Sequence, residues 1–338
     1  MIRTKSISLL KFTMLATALT VSNVYSVPMN SIADSWHNLG SLNTKFETPS
    51  GNVPANHSLD TSEICVFCHT PHGGDNNAAV PIWNRQLNNP LAYTRYSDLG
   101  SSTFDAIEVA IGSVTIACLS CHDGGQAIDS LINAPGSGGF NGPPDAVPYG
   151  SMPRLNPVSG SGFVGGDVDN NTGKLLTPAQ GIVQNLETDL SNDHPVSMQF
   201  AGGGLSGSGG SWSGQSVDPD FTGSSVHPGQ VTPNGVVNVS FKSASASPTS
   251  RWTTLFYLDR SDSLTPGGRD REDIIFYTRQ ELGPEEPFVE CGSCHDPHNI
   301  NNPTFLRTSN GVPQGLQADF PDAAEDAASG LCLTCHIK

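Results

Sequence analysis

Outside four short motifs the chain has no cysteine, so an ordinary disulfide framework is excluded. Positive charge is scarce. Sixteen Lys and Arg stand against 32 Asp and Glu, a formal charge of −16, which excludes DNA or an anionic membrane as the partner. No apolar run is long enough to span a bilayer. Hydrophobic residues make up only 36 %, too lean to build a large side-chain core at this length. What is abundant instead is Gly (36) and Pro (25), which describe a loop-rich chain of mostly irregular structure.

All eight cysteines fall in four copies of one pattern: Cys65-Val66-Phe67-Cys68-His69, Cys118-Leu119-Ser120-Cys121-His122, Cys291-Gly292-Ser293-Cys294-His295 and Cys332-Leu333-Thr334-Cys335-His336. CxxC alone also reads as a zinc half-site or a thiol redox pair. With ten histidines in 338 residues, a histidine after every Cys pair has chance odds on the order of one in a million. CxxCH reads as a covalent attachment site for c-type haem, with the two thiols on one helical turn forming thioethers and the histidine facing the iron. The sequence therefore predicts four covalently bound c-type haems. The attachment residues are Cys65, Cys68, Cys118, Cys121, Cys291, Cys294, Cys332 and Cys335, and the proximal ligands are His69, His122, His295 and His336. The macrocycles then supply the apolar core that the side chains lack.

Residues 1–26 read as a secretory signal peptide: Arg3, Lys5 and Lys11 precede a short apolar core from Phe12 to Val21, with Val24 and Ser26 at the cleavage site. Its removal leaves 13 basic residues against 32 acidic, a formal charge of −19. Basic redox proteins or cationic mineral surfaces are the expected partners. Residues 27–59 read as an extended N-terminal arm, 60–130 as a two-haem module, 131–283 as a Gly/Ser/Pro-rich wrapping region, and 284–338 as a second two-haem module. Residues 27–338 are expected to form one structural unit.

The repeat is legible in the motifs: CVFCHTPH at 65–72 matches CGSCHDPH at 291–298, whereas the second and fourth motifs lack the Pro-His extension. Between the first two motifs, Pro81-Ile82-Trp83-Asn84-Arg85 and Tyr93-Thr94-Arg95-Tyr96 offer aromatics to cover a haem face, with Arg85 or Arg95 to pair with a propionate. A helix is expected over 104–110. Residues 231–241 and 251–258 suggest short strands forming a hairpin. The run 167–173 has the look of a calcium loop but lacks its sixth-position glycine and twelfth-position Glu, so an Asx-rich turn is expected.

Six histidines remain for the four sixth positions: His37, His57, His72, His194, His227 and His298. Methionine is too scarce (Met29, Met152, Met198 after the leader) to be the general axial ligand. His72 and His298 lie too close to a proximal histidine to straddle the same porphyrin, so each should ligate a neighbouring haem. His194 is presented by Asp193 and Pro195. The fourth place falls among His37, His57 and His227. His37 ranks first because of its aromatic neighbour and its arm, and His57 next because it closely precedes Cys65. Irons with two histidines have no open position for substrate, which points to outer-sphere electron transfer rather than an enzyme. Neither a CxxCK variant nor a Gly-rich dinucleotide loop is present.

On Trp36-His37-Asn38-Leu39, CVFCHTPHGG at 65–74, PIWNR at 81–85, CLSCHDGG at 118–125, Asp193-His194-Pro195-Val196, CGSCHDPH at 291–298, and Phe305-Leu306-Arg307 leading to CLTCH at 332–336, the chain resembles the tetrahaem outer-surface c-type cytochromes of metal-reducing bacteria that form extracellular filaments. The resemblance covers both modules; the middle interval matches poorly. It implies bis-histidine haems and an irregular fold with short helices at the CxxCH motifs and a few short β-strands around four stacked haems. It further implies a homopolymer with a continuous haem chain, passing electrons between other multihaem redox proteins and extracellular or mineral acceptors. One axial histidine can then come from the adjacent subunit, and His37 is the expected donor. The alternative is a discrete periplasmic or extracellular tetrahaem electron shuttle with every ligand intramolecular.

Overall fold

The computed structural model describes residues 32–43, 55–102, 104–135, 149, 154–155, 163–204, 206–208, 211–213, 217–221, 239–245, 254–260, 273–279, 281, 285–300, 302–308 and 330–336. The leader at 1–26 and His227 lie outside them.

Helix forms at the motifs. Three of the four are helical segments: α1 (Thr115–His122), α2 (Cys291–Cys294) and α3 (Gly330–Cys335), while the first is a 3-10 turn at Cys65–Phe67. In the first, third and fourth motifs the histidine N–H donates to the carbonyl of the first cysteine, at 2.8, 3.0 and 2.9 Å. One such turn places residues i, i+3 and i+4 on one face, which gathers both thiols and the imidazole. Growth of α1 is stopped by glycine: Gly124, just past its end, has φ +65°, and a Cβ there would strike the Asn185 side chain.

The largest regular element is an antiparallel five-stranded sheet in the order β3 (Met198–Gln199), β9 (Glu286–Val289), β8 (Ile274–Arg279), β7 (Thr254–Arg260), β6 (Val239–Ser245). Among the described residues two antiparallel pairs lie outside this sheet: β1 (His57–Ser58) with β2 (Phe163–Val164), distant in sequence, and the hairpin of β4 (Ser206–Ser208) with β5 (Ser211–Ser213). The β6–β7 hairpin pairs Val239 with Arg260 through Ser245 with Thr254. Its strands sit later in the chain than the expected hairpin, and 231–238 and 251–253 lie outside the described residues. β8 has the β-branched and aromatic composition of a buried strand and is enclosed along most of its length. Phe200, Phe256, Leu258, Ile274 and Phe276 form a core on which Phe221, Val289, Leu331 and Cys335 pack, so the sheet carries the fourth motif. α2 lies against β8 so closely that a Cβ on Gly292 would collide with the Tyr277 hydroxyl.

Two smaller cores hold the first module. One gathers Trp83, Tyr93, Ile111, Ile116, Leu119 and Leu190; the other gathers Phe67, Ile128, Leu131 and Phe163, with Cys68 and Cys121 packed against it.

Several local expectations are corrected. Residues 104–110 are not helical: Val109 N–H donates to the Ser197 carbonyl and Gln199 N–H to that of Ile107, both at 2.9 Å, so sheet-like pairing beside β3 overrides a weak helical preference. The described part of the N-terminal arm is not extended. It folds back on its own chain, with Ser58 N–H donating to Leu39 O (2.8 Å) and Ser41 N–H to Thr61 O (2.7 Å). By contrast, the 167–173 run is the expected Asx turn, in which the Asp169 carboxylate accepts from the N–H groups of Asn171 and Thr172 at 2.7 and 3.2 Å.

Candidate functional site

The first and third motifs are held by one hydrogen-bond pattern. His69 Nδ1 donates to the Pro81 carbonyl (2.9 Å), Thr70 N–H to the Ile82 carbonyl (2.9 Å), and Asn84 N–H back to the Cys68 carbonyl (2.9 Å). In the second module His295 Nδ1 donates to Thr304 O (2.7 Å), Asp296 N–H to Phe305 O (2.8 Å), and Arg307 N–H to Cys294 O (2.8 Å). Even the side chains correspond: Asn84 Nδ2 reaches the Val66 carbonyl (2.7 Å) and Arg307 Nε the Gly292 carbonyl (2.9 Å), each the second residue of its motif. His122 is anchored through Nδ1 to the Gln184 carbonyl at 2.8 Å, an anchor supplied by the middle interval.

A carbonyl can only accept, so each of these imidazoles carries its proton on Nδ1 and presents the Nε2 lone pair, the tautomer of a metal ligand with its supporting hydrogen bond in place. His57 and His194 are held alike, by Ala55 O (2.7 Å) and Pro195 O (2.9 Å).

Two pairs of imidazoles face one another. His69 and His298, from opposite modules, have ring centroids 6.3 Å apart with planes inclined 16°, and His37 and His122 have centroids 6.1 Å apart. In each pair a CxxCH histidine lies beside a second imidazole; the planes of His37 and His122 are inclined 51°. His37 is further clamped by the Phe305 ring, stacked on it at 4.3 Å and 21°. Enclosure, with His122, His298 and His295 nearby, pushes its pKa down to about 3, which keeps the ring neutral and able to ligate.

The thiols lie in chain order. Cys68 is close enough to Cys121 that, after burial, this neighbour is what raises its pKa, to about 12. The Cys118 and Cys291 thiols adjoin, and this contact pushes the Cys118 pKa well up and draws that of Cys291 down. Burial, then Cys291 and more weakly Cys332, raise Cys294 to about 11. All eight cysteines are free thiols. Among the described residues no group of three or more Cys, His, Asp or Glu is arranged to hold a metal ion directly. Paired free thiols on single turns, Nδ1-anchored histidines and a second imidazole beside two of those histidines fit covalent haem.

The junction between the second and third motifs is a buried polar knot. Glu290, just before Cys291, accepts from Thr115 Oγ1 (2.5 Å), Ser197 Oγ (3.0 Å) and Arg279 Nη1 (2.9 Å), and Cys291 N–H donates to Thr115 Oγ1 (3.0 Å). Burial outweighs Arg279 and raises the Glu290 pKa to about 7, because Arg279 is shared with Glu281 at the surface.

The expected propionate role of Arg85 is corrected. Its side chain is fully buried and all five N–H groups donate to backbone carbonyls, those of Ser120, Ala127, Ile128 and Ser130. No donor remains for a propionate. Arg95 sits at the surface beside Asp98, at 3.3 Å. Trp83 meets His69 edge-on at 6.0 Å and its Nε1 donates to Ser120 Oγ, while the Tyr93 hydroxyl donates to Asp123.

No family model matches the chain, and no curated protein matches it. The site thus rests on its own geometry. His37, expected as a donor to an adjacent copy, lies beside His122 of its own chain. His72 lies exposed in the turn after the first motif. Sequence reasoning does not reach the anchoring carbonyls or the Glu290 knot: a backbone acceptor such as Gln184 O leaves no compositional trace, whereas a glutamate directly before CGSCH is a visible signal.

Among the described residues no helix is long and apolar enough to cross a membrane.

Proposed function

We propose that the chain is an exported tetrahaem c-type cytochrome that carries electrons outside the cell and is not an enzyme. The observation that carries this reading is the pairing of His69 with His298 and of His37 with His122, each of which sets a second imidazole beside a CxxCH histidine. When bound, each haem supplies reversible one-electron storage at iron. A haem held by both imidazoles of a pair would have no open position for a substrate and would need little reorganisation on reduction. The eight thiols fix the macrocycles, and the thiol order Cys68/Cys121, Cys118/Cys291, Cys294/Cys332 supports a sequential path from the first motif to the fourth. His72, His194, His57 and His227 would remain to complete the sites at His295 and His336.

The resemblance favours a filament in which copies of the chain join end to end. One observation favours the discrete shuttle: His37, the expected donor to an adjacent subunit, is already engaged within its own chain. In a filament the donated ligand therefore comes from one of the four remaining histidines. Electron microscopy of the extracellular fraction from cells expressing the whole chain, with a haem stain, tests both. Haem-positive filaments establish the conduit, haem-positive monodisperse particles establish the shuttle, and a preparation without covalent haem overturns the proposal.

A further inference from the structure

Ile82 and Phe305 occupy corresponding places in the two matched anchors and share an uncommon backbone conformation. Ile82 has φ +49° and Phe305 has φ +60°, following Thr304 at φ +53°. A β-branched or bulky residue in this left-handed region is strained, and no turn glycine has been used in its place.

The hydrogen bonds show what the conformation does. In an extended strand successive carbonyls point to opposite sides. Here the successive carbonyls of Pro81 and Ile82 both reach the same short stretch, one accepting from His69 Nδ1 and the other from Thr70 N–H. The carbonyls of Thr304 and Phe305 do the same for His295 Nδ1 and Asp296 N–H. Neighbouring carbonyls converge in this way only if the residue between them turns out of the extended conformation. The return bonds from Asn84 and Arg307 then require the chain to run back antiparallel to the motif.

We propose that Ile82 and Phe305 are positioning residues whose left-handed backbone aims the Pro81 and Thr304 carbonyls at the proximal imidazoles, and so sets the electron-donating strength of His69 and His295. This rests on the proposed haem function. A carbonyl held on Nδ1–H makes the imidazole a stronger donor, favours the oxidised iron and lowers the reduction potential. The first and third haems are thereby tuned as a matched pair.

The test uses the mature full-length chain with its haems, first checked for four covalent haems. Individual midpoints are followed by NMR of the haem methyl groups through a redox titration. Ile82→Pro, which fixes φ near −65°, is expected to raise the midpoint of the first haem alone, with the reduced-to-oxidised ratio at the wild-type midpoint rising about tenfold, about 59 mV for one electron. Ile82→Gly and Ile82→Asn, which accept positive φ, are expected to retain the wild-type midpoint. An unchanged midpoint in Ile82→Pro, or an equal rise in all three variants, overturns the positioning role. If Ile82→Pro does not mature, the wild-type protein in its reduced diamagnetic state decides: slowly exchanging Nδ1 protons on His69 and His295 support the proposal, and rapid exchange at either overturns it. Absence of covalent haem in the wild-type protein defeats the functional reading as well, whereas normal haem content with unchanged midpoints defeats the positioning role alone.

Discussion

The imidazoles of His69 and His298 lie 6.3 Å apart in nearly parallel planes, although they belong to opposite halves of the chain. On the proposed function, the second half would close a site whose covalent part belongs to the first. His298→Ala is expected to convert one of the four haems, the one attached at Cys65 and Cys68, to a high-spin state while the others remain low-spin. Electron paramagnetic resonance of the oxidised protein reads this directly. A spectrum that stays wholly low-spin means that His69 has a different partner.

His37 makes the corresponding pair with His122 inside one chain. His37→Ala should therefore produce one high-spin haem and leave the size of the particle or filament unchanged. Analytical ultracentrifugation beside the same spectroscopy separates the two effects. Loss of assembly in this variant would return His37 to the role of a ligand passed between copies.

Arg85 holds four carbonyls of the first module with five donors in the absence of solvent. Arg85→Met should lower stability by about 3–5 kcal/mol, since the carbonyls keep their burial and lose their donors. Arg85→Lys should recover less than half of that, because an ammonium cannot span the fork. Guanidinium chloride unfolding of the haem-loaded variants measures both, and a change below about 1 kcal/mol in Arg85→Met refutes the clamp.

Glu290 gives a pH dependence with a definite sign. Its pKa rises from 4.5 unfolded to about 7 folded, so between those values the folded chain binds the extra proton. Stability should therefore fall as pH rises from about 4.5 to 7, by on the order of 3 kcal/mol from this group. Glu290→Gln, which cannot titrate, should flatten that slope. A slope unchanged by the substitution would assign the effect to another group.

Much of the chemistry is legible in the amino-acid sequence alone, and the reason is geometric. CxxCH is a contact pattern within a single helical turn, so sequence spacing is spatial spacing; the same holds for the doubled His-x-Pro-His. Residues 104–110 show where this ends. Their helical preference is weak, and they pair instead with β3, whose proximity depends on contacts far along the chain. Arg85 reads as a partner for a propionate because arginine pairs with carboxylates, and nothing local announces four inward-pointing carbonyls. β8 is a different case, since Ile274-Ile275-Phe276-Tyr277 carries a strand composition that the flanking Gly- and Pro-rich sequence obscures.

On the proposed function, the nearness of His298 to His69 also bears on how the chain would be made. An exported chain emerges amino-terminal half first, so Cys65 and Cys68 would be available for haem while residue 298 is still to follow. His69 would then wait for its neighbouring imidazole until the last stretch of the chain arrives, a contact of long sequence separation that forms late.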